Sequence, residues 1–198
     1  MKKNLKRRDF IKKAGLAGAA ATAVSTFAAP AIAAGHQEWI ICSAFGKAGL
    51  LGQAIQAFAD NINSYTDKLK IKVYHAGELV PGLESLDAVR SGAAQASYGA
   101  PYYWTNLSDA IEFVATCPFG MNAMEQNAWC YYGGGIEEAD KIYNALGLKF
   151  LPMGNTGNQM GGWFNKEINT PDDYKGLKMR MPGLGGRTIE KLGATPVL

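Results

Sequence analysis

Arg180 closes the apolar segment Lys178-Met179-Arg180-Met181 and stands just before the glycine-rich stretch Pro182-Gly183-Leu184-Gly185-Gly186. A guanidinium at a strand end can take a carboxylate in a bidentate pair, two parallel N–H···O bonds with full charge on both partners. Residue pattern alone does not separate that role from a solvated arginine at a strand end. Gln159 lies in the polar loop Asn155-Thr156-Gly157-Asn158-Gln159-Met160-Gly161-Gly162. Its carboxamide oxygen can coordinate a hard cation or accept from a ligand hydroxyl, and it can equally serve a loop hydrogen bond. Tyr98, Tyr102, Tyr103, Trp104, Phe119, Trp163 and Phe164 fall in loop-like segments. They can wall a small pocket with phenol donors, or they can be ordinary core.

Catalytic chemistry finds little to work with. The histidines are His36 and His75, and there is no G-x-S-x-G elbow and no CxxC pair. The Pro182–Gly186 stretch lacks the Gly-Lys-Ser/Thr ending of a phosphate loop, so it reads as a tight turn feeding a helix. Arg187, on that next helix, reads as solvated. The expectation is a binding protein and not an enzyme. Cys42, Cys117 and Cys130 read as buried, inert thiols, with a Cys117–Cys130 bridge as the alternative.

These residues need elements to hold them. Glu38–Cys42 is a short apolar run, read as a strand. Leu50–Asn63 carries Leu51, Ala54, Ile55, Phe58, Ala59 and Ile62 at helical spacing. Lys70–Tyr74 alternates as a half-buried strand does, Leu83–Arg90 reads as a helix between Pro81 and Gly92, and Ala96–Gly99 as a brief strand. Helices are expected at Ala123–Tyr132, stopped by Gly133-Gly134-Gly135, and at Ile136–Leu146. Strands are expected at Lys149–Met153, Gly162–Phe164, Lys178–Met181 and from Thr195, with a helix over Gly185–Leu192. Alternation of this kind predicts an α/β fold, in which ligands sit beyond the C-terminal ends of strands. Gly77-Glu78, Gly99–Trp104, Asn155–Gln159 and Arg180–Gly186 occupy such positions.

The N-terminus has a different logic. Residues 1–13 are basic, 14–27 form an uncharged Ala-rich run, and Ala28-Ala29-Pro30-Ala31-Ile32-Ala33-Ala34 supplies small residues for a signal peptidase. Residues 1–34 are therefore read as a signal peptide. Lys6-Arg7-Arg8-Asp9-Phe10-Ile11-Lys12 resembles the twin-arginine export motif, with Lys6 in place of its hydroxyl residue. The central run is too short and too weakly apolar to span a membrane. The whole chain is formally +3; the segment contributes seven basic side chains against one acidic, a net of +6, which leaves −3 for the rest. The basicity belongs to targeting, and the argument for nucleic-acid binding goes with it. The end of the sequence, Thr195-Pro196-Val197-Leu198, reads as a strand just starting, so a longer natural protein is expected.

Taken together, Gly77-Glu78-Leu79-Val80-Pro81, Gly99–Trp104, Glu125–Trp129, Tyr131–Gly135, Asn155–Phe164, Lys178–Gly186 and Leu192–Val197 resemble the solute receptors of tripartite ATP-independent periplasmic (TRAP) transporters. The likeness is to the branch for 2-oxo acids and related monocarboxylates such as pyruvate and lactate. It implies a two-lobed periplasmic-binding-protein-like fold, truncated within the second lobe, with a first lobe over 35–154 and the start of a second over 155–198. It implies that Arg180 pairs with the substrate carboxylate and that Gln159 helps hold a sodium or calcium ion against the substrate. A tyrosine of Pro101-Tyr102-Tyr103-Trp104 would reach the ligand, Tyr103 before Tyr102, with Trp104 beside them. The remaining cation ligands would lie past Leu198. The implied partners are a small organic acid and the membrane subunits of a permease, in the periplasm, with room for a homodimer. A sugar acid, sulfonate or aromatic acid in the same fold is the near alternative, and a secreted α/β enzyme or a protein-binding sensory module are more distant ones.

If Arg7-Arg8 sets the export route, Arg7→Lys/Arg8→Lys should abolish periplasmic accumulation of the protein, read by cell fractionation. Undiminished export would make the pair incidental.

Overall fold

The computed structural model describes residues 36–115 and 117–198. The export segment, with Arg7-Arg8 and the cleavage region, lies outside the described residues. Glu38–Leu198 form one compact unit.

Its first layer is a three-stranded sheet in the order β2-β1-β3. β1 spans Gln37–Ser43, β2 Leu69–Tyr74 and β3 Ala96–Tyr98. β1 and β3 run parallel, with Ile41 opposite Ala96 and Ser43 opposite Tyr98. Helix α1, Leu50–Tyr65, buries Gly52, Ile55 and Ala59, a stripe at helical spacing. The stripe packs on Ile41 and Ile71, so the helix and the two strands share one core. Asn63 of α1 also completes the edge of β2. Its amide donates to the Ile71 carbonyl at 2.9 Å and its oxygen accepts from the Ile71 N–H at 2.7 Å.

A second core joins the short elements. Helix α2 (Ser85–Arg90), two 3-10 segments (Pro101–Trp104 and Asp109–Val114) and helix α4 (Gly135–Asn144) contribute Leu86, Trp104, Ile111, Val114, Ala139 and Tyr143. Helix α3, Ala123–Tyr132, starts on a capping box: Asn122 accepts from the Met124 and Glu125 N–H groups, and Glu125 accepts from the Asn122 N–H. Gly134, at φ 84°, turns the chain from α3 into α4.

The last unit is β4 (Lys178–Arg180), helix α5 (Gly183–Lys191) and β5 (Thr195–Val197). β4 and β5 are parallel, which requires the crossover that α5 supplies. Met179, Ile189 and Ala194 form its core, with Phe164 and Tyr174 packed alongside. Thr170 and Asp173 form a capping box ahead of the 3-10 segment Pro171–Tyr174.

Two expected strands do not form. Lys149–Met153 and Gly162–Phe164 are irregular. An apolar run becomes a strand only when a neighbour takes up its N–H and C=O groups. Neither segment has such a neighbour among the described residues, and Leu151 and Trp163 are 73% and 90% exposed. The two 3-10 segments were not expected, and they replace what reads as loop. No described helix is long and apolar enough to cross a membrane.

Ile55 is fully enclosed between α1 and the sheet. Ile55→Ala should lower unfolding stability by about 2–5 kcal/mol, measured by urea denaturation; a loss well under 1 kcal/mol would mean that this core does not hold the fold.

Candidate functional site

The C-terminal end of β4 carries Arg180, and across from it stands the Pro101–Trp104 turn. Arg180 donates from Nη2 to the Tyr103 hydroxyl at 3.5 Å, a long and weak bond. Among the described residues no carboxylate pairs with Arg180. Arg187, one helix further on, is the opposite case. Its Nη2 donates to Asp109 Oδ1 at 2.8 Å and to Glu112 Oε1 at 2.7 Å. The expectation that Arg187 is simply solvated is therefore corrected: its outer edge is exposed, but its head is committed to two carboxylates. Of the two arginines, Arg180 is the one left with an open bidentate face.

The aromatic residues divide in the same way. Tyr103 packs edge-on to Tyr102 at 5.0 Å and against Trp104 at 6.1 Å, and it leans on Phe45 at 6.2 Å. Phe45 in turn meets Tyr98 at 5.5 Å. Trp104 is 5% exposed and its indole N–H donates to the Leu83 carbonyl at 2.8 Å, so it forms the floor beneath the tyrosines. Phe119 and Trp163 are exposed, and Phe164 packs on Tyr174 at 6.3 Å, away from the turn's aromatic group. Burial raises the Tyr102 and Tyr98 phenols above their usual range. For Tyr102 the neighbouring Tyr103 adds to the rise and the Arg180 charge opposes it. These hydroxyls remain neutral donors.

Gln159 sits on the exposed loop, its amide donating to Thr156 Oγ1 at 2.7 Å. The loop is shaped by an Asx turn in which Asn155 accepts from the Gly157 N–H at 2.8 Å. No hydrogen bond among the described residues joins Gln159 to Arg180 or the tyrosines. An open cleft of about 440 Å³ is lined by Phe45, Gly46 and Ala48 of the β1–α1 loop and by Thr156, and neither Gln159, Arg180 nor the tyrosines line it. Gly154 passes Tyr98 so closely that a Cβ there would stand 3.0 Å from its hydroxyl. Phe45 touches Tyr103 on one side and the cleft on the other. It was not singled out from sequence, where a lone Phe after a strand carries no chemical signal.

The donor set suits an oxygen-loving cation only in part. With the amide nitrogen committed to Thr156, the Gln159 oxygen is the free end of the group. Among the described residues there is no cluster of three His, Cys, Asp or Glu that could hold a metal. A hard cation here would depend on neutral oxygens and on the ligand's own charge. His75 is 4% exposed with neither ring nitrogen hydrogen-bonded, and its backbone N–H donates to Glu78. All three cysteines are free; burial raises the Cys42 and Cys130 thiols, which leaves them protonated and unreactive.

The sequence reading missed Glu112. It is 1% exposed on the 3-10 segment Asp109–Val114, and it accepts both from Arg187 and from the Leu184 N–H at the first turn of α5. Its partners lie over seventy residues away, so no local pattern announces them.

The family described as bacterial extracellular solute-binding protein, family 7 (DctP), matches residues 44–197. A monocarboxylate 2-oxoacid-binding periplasmic protein of Nostoc sp. is 41% identical over 196 residues, covering 96% of this chain and 53% of that protein. Two solved TRAP periplasmic solute-binding proteins superpose with a TM-score of 0.78 at 41% identity, over 82% of this chain and 50% of theirs. That of Pseudoalteromonas atlantica holds sodium and pyruvate; that of Colwellia psychrerythraea holds calcium and pyruvate. The chain thus spans about half the length of the relatives it matches.

Gly183 has φ 61°, and a Cβ there would meet Glu112 Oε2 at 2.8 Å and Tyr102 Cβ at 3.0 Å. Gly183→Ala should cost about 1–2 kcal/mol for the backbone alone, and more for the contact, in urea denaturation. Unchanged stability would mean that this close approach is not a constraint.

Proposed function

The chain belongs to the DctP family of bacterial extracellular solute-binding proteins, and from that premise we propose that it is the receptor of a TRAP transporter that captures a pyruvate- or lactate-like monocarboxylate. The observation that carries this reading is Arg180, a cation without a carboxylate partner among the described residues, set against Tyr103 at the end of a strand. A ligand carboxylate would supply the missing partner. Tyr103 and Tyr102 would donate to the ligand's oxygens, and Trp104 would back them. The partly buried phenols lower the local dielectric, which strengthens a charged pair relative to the same pair in water.

Gln159 is the residue that would hold a sodium or calcium ion, with ligand and water oxygens completing its shell. Such an ion would offset the second charge-bearing oxygen of the substrate and favour a 2-oxo or 2-hydroxy acid, which can present two oxygens to it. The pyruvate found with sodium or calcium in the two solved relatives supports this reading. We place the division between lobes at 154/155, supported by the separation of the β1–β3 sheet from the β4–β5 sheet. Delivery to a permease and export by the twin-arginine route complete the proposal.

Calorimetric titration of the natural full-length protein with pyruvate, with and without sodium or calcium, tests it. Binding should depend on the cation, and Arg180→Ala should lose about 2–5 kcal/mol of affinity. No heat with any small carboxylate, or an unchanged affinity in Arg180→Ala, would sink the proposal.

A further inference from the structure

Arg180 is held at two ends. Behind it, β4 is paired with β5, Arg180 lying opposite Val197, and the Met181 N–H donates to the Val197 carbonyl at 3.1 Å. Ahead of it the chain runs through Met181, Pro182 and Gly183 into α5, and the first turn of that helix is gripped by Glu112. One carboxylate oxygen of Glu112 accepts from the Leu184 N–H and the other from Arg187, on the same helix. A negative charge at a helix N-terminus is favoured by the dipole and by the unpaired N–H groups there. Glu112 is itself buried. Ile111 and Val114 on either side of it are buried in the core that also contains Trp104, and Ser108 caps the segment by accepting from the Ala110 N–H at 3.2 Å. The same core carries Tyr103, packed against it.

Both the tyrosine that touches Arg180 and the carboxylate that anchors the helix after Arg180 thus stand on one packed core. Gly183 lies against both, so that a Cβ there would stand 2.8 Å from Glu112 Oε2 and 3.0 Å from Tyr102 Cβ.

We infer that Glu112 is a positioning residue for Arg180: by holding the first turn of α5 against the 3-10 segment, it sets the distance and aim of the guanidinium relative to Tyr103. This rests on the reading of Arg180 as the carboxylate-binding group. A loosened helix leaves Arg180 charged but free to wander, and a bidentate site displaced by an ångström loses most of its advantage.

The test is made in the natural full-length protein. Glu112→Gln, nearly the same size and uncharged, is compared with wild type for pyruvate affinity, in the Arg180 and the Arg180→Lys backgrounds. In the same samples, without ligand, the rate of phenylglyoxal modification of Arg180 is followed by peptide mass spectrometry. Ile55→Ala, remote from the site, controls for lost stability. The expected result is about a tenfold rise in Kd with Arg180 present, less than twofold with Arg180→Lys, and a severalfold faster modification of Arg180 than in Ile55→Ala. Equal losses in both backgrounds, or a modification rate matching the Ile55→Ala control, would make Glu112 a merely structural anchor. If wild type binds no carboxylate while the modification rate still rises, the positioning holds and the receptor reading fails; if neither changes, both fail. Should Glu112→Gln not fold, Arg187→Lys is expected to speed Arg180 modification by a smaller factor, and an unchanged rate there overturns the inference.

Discussion

The carboxylate of Glu112 ties the β4–α5–β5 unit to the body of the described chain through two hydrogen bonds. A carboxylate taken out of water is costly unless each oxygen finds a donor. Both do: one accepts from the Leu184 N–H, the other from Arg187. The donors belong to one helix turn and the acceptor to one 3-10 segment, so few relative placements of the two satisfy both bonds. Buried ion pairs add little net stability compared with apolar contacts of the same volume. What this one supplies is direction. The glycine at 183 follows from it, because the helix must begin where a side chain would strike the carboxylate.

That constraint explains why two neighbouring arginines have different work. Arg187 neutralises the buried Glu112 and reaches Asp109 as well, and its hydrogen-bonding capacity goes to protein groups. Arg180 is spared that role. With the local carboxylates already engaged, its guanidinium faces a phenol hydroxyl at 3.5 Å, and in the proposed receptor it would be free to take a stronger acceptor. A site for an anion needs more than a positive residue; the protein's own anions must be engaged elsewhere.

Much of the fold was legible because its elements are local. The stripe of Ile55 and Ala59 on α1 and the glycine stop around Gly134 each show within a few residues of sequence. Lys149–Met153 and Gly162–Phe164 look like strands for an equally local reason and fail for a non-local one, since periodicity records a face and not a partner. The candidate site divides along the same line. Arg180 and the Tyr102-Tyr103-Trp104 turn could be picked out by residue type and setting. Glu112 and Phe45 could not, because their importance lies in contacts with distant segments. An acidic residue flanked by Ile111 and Val114 was the available hint: a charge in an apolar run has to be either paired or protonated.

In the proposed site, the tyrosines would decide what kind of anion is suited. Burial keeps the phenols of Tyr98 and Tyr102 protonated, so this aromatic wall offers donors and adds no negative charge. Phe45 extends that wall to the cleft, and Thr156 on the far side holds the Gln159 amide. In the proposed receptor site, one cation, neutral hydroxyl donors and a free carboxamide oxygen would match a small anion with a single carboxylate and an adjacent oxygen. A dianion would leave its second charge against phenols and an amide, which cannot neutralise it, unless a cation came with it. The same asymmetry would make a cation useful in the proposed site: Gln159 would present to it an oxygen without charge, so the ion's affinity would be governed by the charge that the ligand brings.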